Sequence, residues 1–196
     1  VQFDQSLSPN GNGSGTYAGQ LSGAGQASFA GNGTAVLTLT GDNTGLSGAM
    51  TILSNSNGIV SISSANNLGT GTLFLSNGTL MTTATMTLGN AVSLSAASSG
   101  SFNTAGGTTL TLSGGITGAG SLVKLGTGTL VLGAPNSYTG GTTVSAGTLQ
   151  GVAGSGIQGN VINNATVVLT GAFNVYNGNM SGTGDVVIQG TVGLAG

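Results

Sequence analysis

The stretch GAGSLVKLGTGTLVLGAPNSYTGGTTVSAGTLQ, residues 118–150, decides the fold. Side chains alternate faces along a strand, so Leu130 and Leu132 share one side while Thr129 and Val131 share the other. One side is apolar enough for a core. Gly126, Gly128, Gly133, Gly140, Gly141 and Gly147 interrupt the apolar runs where the backbone must turn sharply, which glycine does without a steric penalty. The unit is a series of short strands joined by tight turns.

Degenerate copies lie on either side. Gly23, Gly25, Gly31 and Gly33 mirror Gly118, Gly120, Gly126 and Gly128, with Phe29 at the position of Lys124. Leu37, Leu39 and Asn43 then mirror Leu130, Leu132 and Asn136 after a slip of two residues, and no aromatic replaces Tyr138. Gly182 and Gly184 begin a third copy. Further strands are expected at Ile59–Ile62, Leu73–Leu75, Thr85–Leu88, Val92–Leu94, Thr109–Leu112, Ala165–Leu169, Phe173–Tyr176 and Val186–Ile188, and no helix is expected. Leu53, Leu75, Leu94, Leu112, Leu132, Leu149, Leu169 and Ile188 recur at intervals of 17 to 22 residues. A period near twenty marks a solenoid whose repeats bury their apolar faces on one another. Stacked coils place like residues over like, so leucine rows are expected inside and Thr and Asn rows at surfaces and turns.

The central unit also resembles the autotransporter-associated β-strand repeat of large bacterial surface proteins. The resemblance rests on Gly118, Gly120, Leu122, Lys124, Gly126, Gly128, Leu130, Leu132, Asn136, Tyr138, Gly140, Thr142, Val144, Gly147 and Leu149. It implies a parallel β-helix displayed outside a bacterial cell, with no catalytic residue belonging to the repeat.

Composition agrees with a narrow core. The 196 residues include 40 glycines, 38% apolar residues and only 4% aromatic ones. That leaves rows of Leu, Val, Ile and Ala as the interior. The ionised side chains are Asp4, Asp42, Asp185 and Lys124, with no His, Arg or Glu. One lysine cannot neutralise the several phosphates that nucleic-acid binding requires. Without cysteine there is no disulfide, and an oxidising compartment is harmless. No apolar run approaches the roughly 20 residues that cross a bilayer, and Val1–Gln20 lacks the pattern of a signal peptide. Attachment or export is expected to need another segment or another protein.

Candidate chemistry is sparse. The glycine clusters match no phosphate loop and lead into no helix. Asp185 is a single carboxylate where a calcium-binding roll needs several. Asp42 and Asp185 are too scattered for a glycosidase pair, and Lys124 is expected to be an exposed structural side chain. The Thr-x-Thr triplets at Thr38, Thr85, Thr109 and Thr127 invite an ice-binding alternative, but their spacing of 47, 24 and 18 residues does not give one pair per coil.

The sequence therefore predicts an all-β chain, a single right-handed parallel β-helix over residues 1–196, with 1–15 as an N-terminal strand or arm. It is expected to be non-enzymatic, free of cofactors and metals, not membrane-inserted, and secreted or on a bacterial cell surface. The job expected first is that of a subunit stacking head to tail with identical copies into a filament, through Val1, Phe3 and Leu7 at one end and Val186, Ile188, Val192 and Leu194 at the other. Open sheet edges without charge or proline invite such pairing. The alternative is a section of an autotransporter-type passenger adhesin with a host or cell-surface ligand.

Overall fold

The computed structural model describes residues 2–4, 14–31, 34–54 and 58–194. Their strands form three sheets, here called faces A, B and C. Face A holds six strands from Gln2–Asp4 to Ile116–Gly118, face B nine from Gly15–Tyr17 to Met180–Ser181, and face C six from Met86–Leu88 to Asp185–Leu194. The strands stack in parallel, each on its counterpart one turn of chain away. The molecule is a parallel β-solenoid of nine rungs, numbered by the strands of face B. With strands about 4.8 Å apart, the rungs span about 40 Å.

The alternation seen in the sequence becomes the inside and outside of each face. On face B one inner row runs Leu37, Val60, Leu80, Phe102, Lys124, Val144 and Asn163, all buried. On face A it runs Phe29, Ile52, Leu75 and Leu94, and on face C Leu110, Leu130, Leu149 and Val167. Removing such aliphatic rows from water is worth roughly 25 cal/mol per Å² and is the main cohesive term.

The evenly spaced leucines do not make one row. Leu53 turns outward and is 41% exposed, because Ile52 is the residue in register with Leu75. The series then crosses from face A to face C between Leu94 and Leu112. It slips again on face C, where Leu149 stacks on Leu130 and Leu132 stacks on Gly151. An average period near twenty is compatible with any rung-sized repeat, whereas the row is fixed by strand register.

Three other expectations change. Ala65–Leu68 forms one turn of 3-10 helix, with Ser64 accepting from the Asn66 amide as its N-cap. The two strands expected within 165–176 are one, Thr166–Tyr176, and the C-terminal stretch is also one strand, Asp185–Leu194. They bend together at Gly171 and Gly190, which are paired and have φ of 129° and 106°. A Cβ on Gly190 would lie 2.3 Å from the Gly171 oxygen, so glycine is what lets both strands turn the corner unbroken.

The repeat itself precesses around the rod. The first copy places its two strands on faces A and B and its irregular segment on face C. The central copy uses faces B and C, with residues 133–141 on face A, and the third begins on face C. Gly23, Gly118 and Gly182, which open the three copies, have φ of 96°, 108° and 105°. The same local conformation recurs at three positions around the axis.

Asparagines tie the irregular segments to their neighbours. Asn136 Oδ1 accepts from the Ile116 amide at 2.7 Å and its Nδ2 donates to the Gly156 oxygen at 2.6 Å. Its counterpart Asn43 accepts from the Leu21 amide and donates to the Asn67 oxygen, at 2.7 and 2.6 Å. Each holds the rung before it and the rung after it.

The register of Ile52 with Leu75 is testable by urea unfolding. Leu75→Ala should lose about 2–5 kcal/mol, whereas Leu53→Ala should lose less than about 1 kcal/mol. Equal losses would contradict the register.

Candidate functional site

Among the described residues no group of three His, Cys, Asp or Glu side chains could hold a metal ion. Asp42 is exposed, and its carboxyl is held below the usual range chiefly by the Thr44 backbone N–H. It belongs to rung 2 and Asp185 to rung 9, so about 30 Å separates them at the strand spacing of stacked sheets. The two cannot act as a carboxylate pair.

The described residues among those expected at an interface lie at opposite ends of the rod. Val1 and Leu7 fall outside the described residues. Phe3 sits in the first strand of face A, in register with Phe29. Val186, Ile188, Val192 and Leu194 all belong to the last strand of face C, opposite Val167, Leu169, Asn174 and Tyr176. Val186 and Ile188, which end two inner rows, are 41% and 44% exposed. Val187 between them is 40% exposed on the outer side.

The threonines make no ice-binding array. Thr109, Thr129, Thr148 and Thr166 do stack in register on the outside of face C. The companion row, however, reads Thr87, Thr111, Val131, Gln150 and Val168, so the second threonine lasts only two rungs.

The unusual chemistry is at the corner between faces B and C. Lys124 is fully buried, not exposed as its charge suggests, and stacks between Phe102 below and Val144 above. Its Nζ donates to the Leu125 oxygen at 2.6 Å, the Gly126 oxygen at 2.7 Å and the Ala146 oxygen at 3.2 Å. An ammonium has three N–H donors and no acceptor, so this cradle matches it fully. Two of the carbonyls belong to rung 6 and the third to rung 7. Burial still disfavours the charge and pushes the amine down to about 8.

Two glycines make the cradle. Gly126 and Gly147 have φ of 71° and 68°, and a Cβ on Gly147 would lie 2.5 Å from the Gly126 oxygen. Successive turns approach so closely that their carbonyls can point at one amine. Lys124, Gly126 and Gly147, scattered through the repeat, thus meet at one corner.

Two sequence signals pointed inward. Lys124 has the parity of Leu122, which is interior, and the first copy places Phe29 at the same position, also fully buried. Tyr138 follows the same logic at the next corner. Its hydroxyl lies 2.7 Å from Thr142 Oγ1 and accepts from the Gln158 amide at 3.3 Å. Tyr176 donates to the Gly159 oxygen at 2.6 Å, and burial pushes its hydroxyl up to about 12.

A parallel solenoid of strand, strand and irregular segment defines a repeat protein. Residues 122–150 match the model of the passenger-associated-transport-repeat. The chain is also similar to the adhesin BmaC autotransporter of Brucella suis biovar 1 (strain 1330), 62% identical over 47 residues, which are 24% of this chain and 1% of that protein. No solved structure matches. Residues 122–150 are accordingly a repeat of the kind found in autotransporter passengers, and the chain spans about a hundredth of the length of the adhesin it matches.

The matched segment contains the Lys124 corner, whose titration has a defined sign. An amine at about 8 in the fold and 10.5 when unfolded makes the unfolded chain bind more protons between those values. Stability therefore rises as pH increases through that window and is lost as pH falls through 8. Tyr138 and Tyr176, raised above 10 by burial, oppose the trend only beyond pH 10. Urea unfolding should show a gain of about 2 kcal/mol between pH 7 and 9.5, absent in Lys124→Met. A wild type without that gain would mean that the amine is hydrated.

Proposed function

We propose that this chain is a non-enzymatic structural section of the passenger of a bacterial autotransporter adhesin, exposed on the cell surface or released from it. The match of residues 122–150 to a passenger-associated repeat carries the reading. Similarity to part of an adhesin autotransporter supports it, as does a rod surface almost without charge. Its work is mechanical: stacked rungs hold loops and outer faces away from the membrane. The precession of the repeat turns those irregular segments from one face to another along the rod, so ligands can be met from several directions.

End-to-end stacking of separate copies finds no support in these matches, because the similarity is to a segment within a far longer polypeptide. In such a polypeptide the inner rows ending at Val186 and Ile188 are continued by another rung.

Fusion of residues 1–196 to an outer-membrane translocator in a laboratory bacterium tests the reading. Externally added protease should cleave the displayed chain, and the cells should adhere to cultured host cells several-fold more than cells carrying the translocator alone. A chain retained inside the envelope would overturn the surface assignment. Display without added adherence would overturn the adhesive role.

A further inference from the structure

We propose that a cavity at the N-terminal end of face C receives an arginine side chain from a partner protein, with Asn90 at its floor and Asp42 at its rim. The cavity, about 310 Å³, lies where the irregular segments of rungs 2 and 3 give way to the first strand of the face, Met86–Leu88. Thr44 comes from rung 2, Asn66, Gly69 and Thr70 from the 3-10 turn of rung 3 and its exit, and Gly89 and Asn90 from rung 4. Asn90 is buried, only 7% exposed, whereas Thr44, Asn66, Thr70 and Gly89 are exposed around it. Its Nδ2 donates to the Gly69 and Gly71 oxygens at 3.0 and 2.7 Å, and among the described residues none donates to its Oδ1. The asparagines that bridge rungs elsewhere, Asn43, Asn67, Asn136 and Asn163, use both ends of the amide. At Asn90 one acceptor is left open beside the cavity, and a buried acceptor calls for a donor.

The groups around it decide what kind of donor. Asp42 is the one ionised side chain between Val36 and Ala91. Its carboxylate accepts from the Thr44 amide at 3.0 Å and from the Asn66 side chain. Both of those residues line the cavity, which places the negative charge at its rim. The Thr70 hydroxyl donates to the Leu46 oxygen at 3.3 Å, so toward a ligand it can only accept. Three acceptors, one of them charged, therefore surround the opening. A sugar hydroxyl brings an acceptor with each donor and carries no charge, and an anion is repelled by Asp42. A guanidinium has five N–H donors in a planar fork, no acceptor and a permanent positive charge. It can meet floor and rim together while its apolar stem lies against Ala65, which also lines the cavity. That a partner protein is present rests on the passenger reading given above.

Titration of the purified chain with Nα-acetyl-arginine amide, followed by NMR of the Asn90 side-chain amide and the Thr44 and Gly89 backbone amides, tests the site apart from display or adherence. These resonances should shift and saturate at millimolar concentration. The neutral isostere Nα-acetyl-citrulline amide should bind about tenfold more weakly, and Asp42→Asn should weaken the arginine probe about threefold. Gly89→Leu should abolish the shift at Asn90. A Cβ on Gly89 would meet nothing nearer than Ser113 Oγ at 4.0 Å, so the new side chain enters open space without disturbing the fold. Shifts that do not saturate, that the citrulline probe reproduces equally, or that survive in Gly89→Leu would overturn the proposal. If Gly89→Leu does not fold, the comparison of arginine with citrulline decides the matter alone. Failure here would leave surface display untouched, and failure of display would leave these shifts in place.

Discussion

Each rung of this solenoid points its backbone N–H and C=O groups along the rod axis, and only the rungs before and after can satisfy them. That constraint governs the rest. A buried backbone group without a partner costs on the order of 1–3 kcal/mol, so no rung is stable alone and register must be kept through every turn. Turns that match the strand spacing are obtained with glycine at positive φ, as at Gly118 and Gly147. Where a strand is replaced by an irregular segment, an amide side chain takes over the missing ladder. Asn43 and Asn136 do this on different faces with nearly the same distances.

Register also explains the narrow chemical range of the interior. Stacking places like over like, so a row is comfortable when every member is a Leu, Val or Ile of similar volume. Lys124 breaks the rule inside one such row, as Asn163 does two rungs further on. Its charge is tolerated because the Leu125, Gly126 and Ala146 carbonyls face it, and those carbonyls converge because Gly126 and Gly147 let two turns come close. The arrangement exchanges stability at neutral pH for a hydrogen-bonded tie between rungs. A buried ammonium is a weak stabiliser even when its donors are all satisfied.

Much of the architecture was legible in the sequence. Period-two alternation fixed the strands at Ile59–Ile62, Val92–Leu94 and Thr109–Leu112, and the glycine pattern fixed the corners. The offset between Asn43 and Asn136 identified two residues with the same bridging role. What could not be read was register across rungs, because leucine spacing averages over turns of unequal length. Leu53 illustrates it, sitting one residue from the buried Ile52. Lys124 lies inside although its charge suggests exposure, and Leu122 and Phe29 both mark the inward side. The fused strand Thr166–Tyr176 was hidden by Gly171, which bends the chain while pairing with the last strand continues through a register shift between Ala172 and Asn174.

The register on face C tests this account most directly, since the inner rows, the Lys124 corner and the precession of the repeat all follow from it. Nuclear Overhauser contacts between backbone protons of adjacent rungs would measure it. The account predicts contacts pairing Leu130 with Leu149 and Leu132 with Gly151. Contacts pairing Leu132 with Leu149, the register implied by even leucine spacing, would contradict it.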